Sequence, residues 1–245
     1  MIGLGAFLAV TGVCDLLRAT RDTITTRHRV LLVGLGVALF AMLLLVLDLD
    51  PRAVVPLAAT WTVGLGAWLV TSSAALDAGA THRGRWRAGA FLSLAVPLGA
   101  LLTIGDAVSV GLTAPGLLDG TLLTAYPLDQ LVLIVGVAAF QLSSANIVVR
   151  LLLDAIGVPA VTNEKKLKGG RVLGPMERLF ILMLGSSGQL GAAAVVVAAK
   201  GLLRYPELQR SAREQGPTDV SEYFLIGSFA SWLVAITGLV VIQLA

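Results

Sequence analysis

The 245-residue chain is 56% hydrophobic and only 13% charged, about half the charge of an ordinary soluble domain. That composition excludes a water-soluble globular fold. A net charge of +3 comes from arginines and lysines scattered between apolar runs, which argues for membrane topology and against a nucleic-acid surface. One cysteine, Cys14, excludes an internal disulfide and a cysteine-based metal cluster.

The apolar runs reach the roughly 20 residues that a helix needs to cross a hydrocarbon core. They do not alternate as barrel strands do, and in lipid a helix closes its own backbone hydrogen bonds. The expected fold is therefore all-α: a single polytopic bundle of about seven spans over residues 1–245. In chain order the spans are Ile2 to Leu17, Val30 to Leu47, Val54 to Leu76, Ala88 to Ile104, Leu128 to Leu152, Leu179 to Ala199 and Tyr223 to Leu244. The start, Met1-Ile2-Gly3-Leu4-Gly5, has no basic region, so the first run reads as a retained span. Residues 105–127, with Pro115, Gly116, Gly120 and the acids Asp106 and Asp119, read as an external loop separating four spans (1–104) from three (128–245).

Basic residues orient the bundle. With the first, third and fifth connections inside, 13 of the 18 are cytoplasmic and 5 external, giving an N-out, C-in topology in a bacterial plasma membrane. The segment from Lys200 to Glu222 resists the rule, since it is placed outside yet carries four basic residues. A re-entrant sixth segment would bring it inside, and the run Gly185-Ser186-Ser187-Gly188-Gln189 is where the chain could turn.

Polar residues inside spans are the functional suspects. Ser143, Asn146 and Arg150 share a helical face in the fifth span, with Gln141 and Ser144 nearby, and Ser186 and Gln189 share one in the sixth. They read either as a polar pocket of a small transporter or channel, or as interhelical hydrogen bonding. The stretch Lys165-Lys166-Leu167-Lys168-Gly169-Gly170-Arg171 before Pro175 joins four cations to a helix start, a pattern suited to anionic lipid headgroups or to topological anchoring. Small residues at Ser187/Gly191, Gly188/Ala192 and Gly227/Ser231 predict close packing of the sixth and seventh spans. Lys200 or Arg204 is expected to pair with Glu222 at the base of that hairpin. Two separated histidines, His28 and His82, with one cysteine predict no transition-metal site, no cofactor and no catalytic constellation. A membrane-face hydrolase would have to use Asp15, Asp77 and Asp129.

The segments Lys168-Gly169-Gly170-Arg171-Val172-Leu173-Gly174-Pro175-Met176-Glu177-Arg178, Ala198-Ala199-Lys200 with Arg204, and Glu222-Tyr223-Phe224-Leu225-Ile226-Gly227-Ser228 resemble a family of uncharacterised bacterial multi-pass membrane proteins that occur beside SatD-like proteins. The resemblance covers residues 165–232. It implies His-x3-Asp elements and an Asp-Gln followed by His in the N-terminal half, a pattern similar to a membrane-face metal site. Here Thr11 and Asp15, Ser73 and Asp77, and Asp129, Gln130 and Leu133 stand at those places, so the acids are present without the histidines. The expected role is non-enzymatic: a scaffold or complex subunit whose partners are the bilayer, anionic headgroups, and other membrane proteins or further copies of itself, with no nucleic acid.

Overall fold

A computed structural model describes residues 1–19, 24–46, 51–77, 82–104, 127–158, 170–215 and 219–244. The described residues form nine helices: α1 (Ile2–Arg18), α2 (Thr26–Val46), α3 (Pro51–Leu76), α4 (Arg83–Ile104), α5 (Leu128–Leu142), α6 (Ser144–Ala155), α7 (Gly170–Ser186), α8 (Leu190–Gln215) and α9 (Asp219–Gln243). Four have spans long and apolar enough to cross a membrane, Thr26–Leu45, Val54–Leu76, Arg83–Thr103 and Glu222–Gln243, and α5 with α6 makes a fifth if the pair is one broken span. This is an all-helical architecture suited to a bilayer. The connection 105–126 lies outside the described residues.

The chain divides into two compact units after Ser144. The physical reason lies in α1 and α5. A Cβ on Gly5 would stand 2.6 Å from the Leu133 backbone nitrogen, and one on Gly12 would stand 2.6 Å from the Ala139 carbonyl carbon. Gly136 faces the Gly5 backbone just as closely. Only glycine at these positions lets the two backbones touch, and the contact ties α5 to the N-terminal helices.

In the first unit α1 is enclosed along most of its length. Trp61 donates its indole N–H to the Gly3 carbonyl at 2.9 Å, and farther along Trp68 meets Asp15 and Ser72 meets Arg18. Thus α1 and α3 run in one direction, as does α5. Phe40 stacks on Trp61 with centroids 4.8 Å apart, while Gly36 faces Leu65, so α2 runs the opposite way. Gly64 against Pro97 and Thr71 against Ser93 give α4 the same reversed direction. This alternation brings Arg18, Arg27, Arg29, Arg83, Arg85 and Arg87 to helix ends on one side of the unit.

In the second unit the expected sixth span, Leu179 to Ala199, is two helices. After α7 the chain turns through Ser187, Gly188 and Gln189, with Gly188 at φ +73°, a backbone region that glycine enters without strain. The Gly188 N–H bonds to the Gly185 carbonyl at 3.1 Å and the Gln189 N–H to the Leu184 carbonyl at 2.7 Å, closing the end of α7. Ser187 and Gly188 therefore form a turn, and the small-residue helix face expected of them does not exist. The close approach between α7 and α9 is made by Gly185 against Leu239, while Gly227 faces Leu153 of α6.

Candidate functional site: two buried ionic clusters

Each unit encloses one carboxylate held by a cation and a tryptophan. Asp15 on α1 is fully buried, and the i,i+3 spacing lays Arg18 over it. Arg18 Nε donates to Asp15 Oδ1 at 2.7 Å and Nη2 stands 2.6 Å from the same oxygen. The other oxygen, Oδ2, accepts the Trp68 indole N–H at 2.8 Å. Arg18 Nη2 also donates to Ser72 Oγ at 2.8 Å, and its guanidinium lies 6.0 Å from the Trp68 ring centroid. Ser72 donates its own hydroxyl hydrogen bond to the Trp68 carbonyl one turn back. Burial of an ion pair is tolerable only when the remaining lone pairs and protons are satisfied, and this cluster meets that condition with residues from two parallel helices.

The second unit repeats the chemistry with different residues. Glu177 and Arg178 on α7 are 4% and 1% exposed. Lys200 of α8 pairs with Glu177 Oε2, and Trp232 of α9 donates its indole N–H to Oε1 at 2.8 Å. The Lys200 ammonium lies 5.9 Å from the Phe224 ring centroid. Arg178 donates to Ser231 Oγ at 2.9 Å and to Asn146 Oδ1 of α6 at 2.7 Å. One polar layer thus joins all four helices of the unit, with the apolar cluster of Ile181, Ala193 and Ala235 directly beyond it.

For Lys200 the expected partner, Glu222, gives way to Glu177 in this layer. Lys200 turns to Glu177, and Glu222 is exposed. The reason is the turn at Gly188, which folds α8 back along α7 and delivers Lys200 to the buried carboxylate. The side chain of Arg204 lies outside the described residues, as do Lys165, Lys166 and Lys168 and the side chain of Arg171.

The expected polar pocket in the fifth and sixth spans is not one face. The helix breaks at Ser143 (φ −133°, ψ −62°), whose hydroxyl donates to the Gly12 carbonyl at 2.6 Å. Gln141 and Ser143 fall in the first unit, where both are buried. Asn146 and Arg150 fall on α6 in the second, where Asn146 serves Arg178. Ser186 and Gln189 are exposed at the α7–α8 turn. Two buried hydroxyls, Thr11 Oγ1 and Ser144 Oγ, have no hydrogen-bond partner among the described residues.

The acids Asp15, Asp77 and Asp129 do not converge. Asp15 and Asp77 stand at the C-terminal ends of α1 and α3, whereas Asp129 stands in the first turn of the parallel helix α5, so the length of the bundle, about 20 Å at 1.5 Å per residue, separates it from them. Among the described residues no three histidine, cysteine or acidic side chains gather into a metal-holding group.

Trp68, Ser72 and Trp232 carry no mark in the sequence, and Glu177, Arg178 and Ser231 none as members of a buried polar layer. One signal was available: Glu177-Arg178 immediately precedes the uncharged run 179–199, and charges entering such a run require partners. No family model, curated protein or solved structure matches the chain.

Proposed function

We propose that the chain is a multi-pass protein of a bacterial plasma membrane that acts without catalysis, as a scaffold or subunit of a membrane complex. The observation that carries this reading is that both buried carboxylates are engaged at each of their two oxygens, by one cation and one indole N–H. An intramembrane acid that exchanges protons or binds a solute must present a free face to its ligand. Asp15 and Glu177 instead join helices to one another, which is the work of a rigid body that presents its outer surface to partners. Large apolar side chains such as Leu202, Leu203, Leu225 and Phe229, between 60% and 79% exposed, supply a surface for lipid, another membrane protein or a second copy.

The test is purification from its native membrane in mild detergent, followed by mass spectrometry and by light scattering for oligomeric state. A stoichiometric protein partner, or a defined homo-oligomer, is the expected result. A monomer without a partner that conducts protons or sodium when reconstituted in proteoliposomes would overturn the scaffold.

A small transporter or channel is the second reading. It is favoured by the break at Ser143, which places irregular backbone within the helices of the first unit, beside the buried Thr11 and Ser144 hydroxyls. Under this reading the Ser143→Leu variant abolishes ion flux in proteoliposomes.

A further inference from the structure

We infer that α7 and α8 form a hairpin that crosses the membrane and returns, so that the end of α6, the start of α7, the end of α8 and the start of α9 face the cytoplasm, while the Ser187–Gln189 turn and the C-terminal end of α9 face outside. The inference rests on membrane embedding and is independent of the scaffold role. It concerns the second unit by itself.

The directions of the helices follow from side-chain contacts. Along α7 and α9, Glu177 meets Trp232, Arg178 meets Ser231 and Gly185 meets Leu239, so residue numbers rise together and the two helices are parallel. Along α7 and α8, Glu177 meets Lys200 while Ile181 packs with Ala193, so α8 runs back. Along α6 and α9, Leu153 lies beside Gly227, with Val158 in the same cluster as Tyr223. Hence α6 descends toward the end at which α9 begins. The end of α6, the start of α7, the end of α8 and the start of α9 all lie at one end of the unit, and the α7–α8 turn lies at the other.

Depth decides between a crossing and a shallow re-entrant loop. The helical span Glu222–Gln243 has 22 residues, or about 33 Å of rise, enough for a hydrocarbon core of about 30 Å. Gly185 reaches Leu239, one turn before the end of α9, and the Gly188 turn follows three residues later. The hairpin therefore extends along nearly the whole of the spanning helix.

Charge decides which end is inside. All ten basic residues after Ser144, namely Arg150, Lys165, Lys166, Lys168, Arg171, Arg178, Lys200, Arg204, Arg210 and Arg213, fall in the sequence either within 150–178 or within 200–213, the stretches that hold the polar layer and the connections at the base. From the layer to the turn, residues 179–199 and 233–245 contain no charged residue at all. Lysine and arginine in short connections hold their side of a membrane protein in the cytoplasm. The conflict over the segment 200–222 thereby disappears, and the C-terminus moves outside, opposite to the C-in expectation. A continuous sixth span cannot give this arrangement.

Single-cysteine labelling of the full chain in intact cells tests the inference. The wild type, whose one cysteine, Cys14, is buried, is the blank. Lys166→Cys, Gln189→Cys, Gln209→Cys and Leu244→Cys variants are treated with a membrane-impermeant maleimide before and after permeabilisation. Gln189→Cys and Leu244→Cys are expected to label at once, and Lys166→Cys and Gln209→Cys at least tenfold more after permeabilisation. Labelling of Gln209→Cys but not Lys166→Cys from outside would restore a single crossing and overturn the hairpin. Protection of Gln189→Cys in both conditions would make it re-entrant and overturn the crossing. External labelling of both basic segments would overturn the orientation.

Discussion

Removing the cation of the second cluster is expected to cost more than removing the acid. The side chains of Glu177 and Lys200 are 3% and 15% exposed, and breaking a buried pair by deleting one partner costs about 3–5 kcal/mol. In Glu177→Gln the stranded ammonium keeps the Phe224 ring face, worth about 0.5–2 kcal/mol, and its four-carbon stem can carry it toward water; we expect a loss near the lower limit, about 3 kcal/mol. In Lys200→Met the carboxylate keeps the Trp232 N–H and the charge of the adjacent Arg178, but its short side chain cannot reach water, so we expect a loss near the upper limit, about 5 kcal/mol. With both changed, a neutral amide meets a thioether beside the same indole, and the loss should fall to about 1 kcal/mol. The assay is a double-mutant cycle read by reversible unfolding in detergent, with the coupling energy taken from all four proteins. Additive losses, or a Lys200→Met variant as stable as Glu177→Gln, would refute the reasoning.

Three further outcomes follow from particular contacts. Gly12→Ala should destabilise the first unit by about 1–3 kcal/mol, because its Cβ would strike the Ala139 backbone and draw the Gly12 carbonyl from Ser143, whereas Gly66→Ala, with nothing within 4 Å, should be neutral or stabilising by up to about 1 kcal/mol; thermal unfolding of the two variants in one detergent compares them. Thr11→Val should stabilise by about 1 kcal/mol, since it replaces a buried hydroxyl that lacks a partner with a methyl of similar shape, and a lower melting temperature than wild type would show that the hydroxyl is engaged. His82 holds φ +62° at the start of α4, so His82→Gly should keep or raise the melting temperature while His82→Val lowers it by the equivalent of about 1–2 kcal/mol.

The sequence by itself pointed to helices suited to lipid, because runs of some twenty apolar residues without strand alternation have no other way to satisfy their peptide groups there, and the described residues are helical with four to five membrane-length apolar helices. It also marked α2, α3, α4 and α9, each a continuous run, within a few residues of their membrane-length apolar stretches. The long-range pairings were not legible, because composition and spacing along one helix do not say which helix lies opposite. Lys200 could have met Glu222 or Glu177, and the choice fell to Glu177 only because Gly188 takes a positive φ and folds α8 along α7. The same turn converts an apolar stretch, Leu179 to Ala199, from one span into two antiparallel helices, which hydropathy cannot register since both arms are equally apolar. Asp15 with Arg18 was readable as an i,i+3 pair on one helix. Its closure by Trp68 and Ser72, more than fifty residues away, was decided by the packing of α3 against α1, where a buried carboxylate must find a donor for its second oxygen or remain unsatisfied in a medium that supplies none.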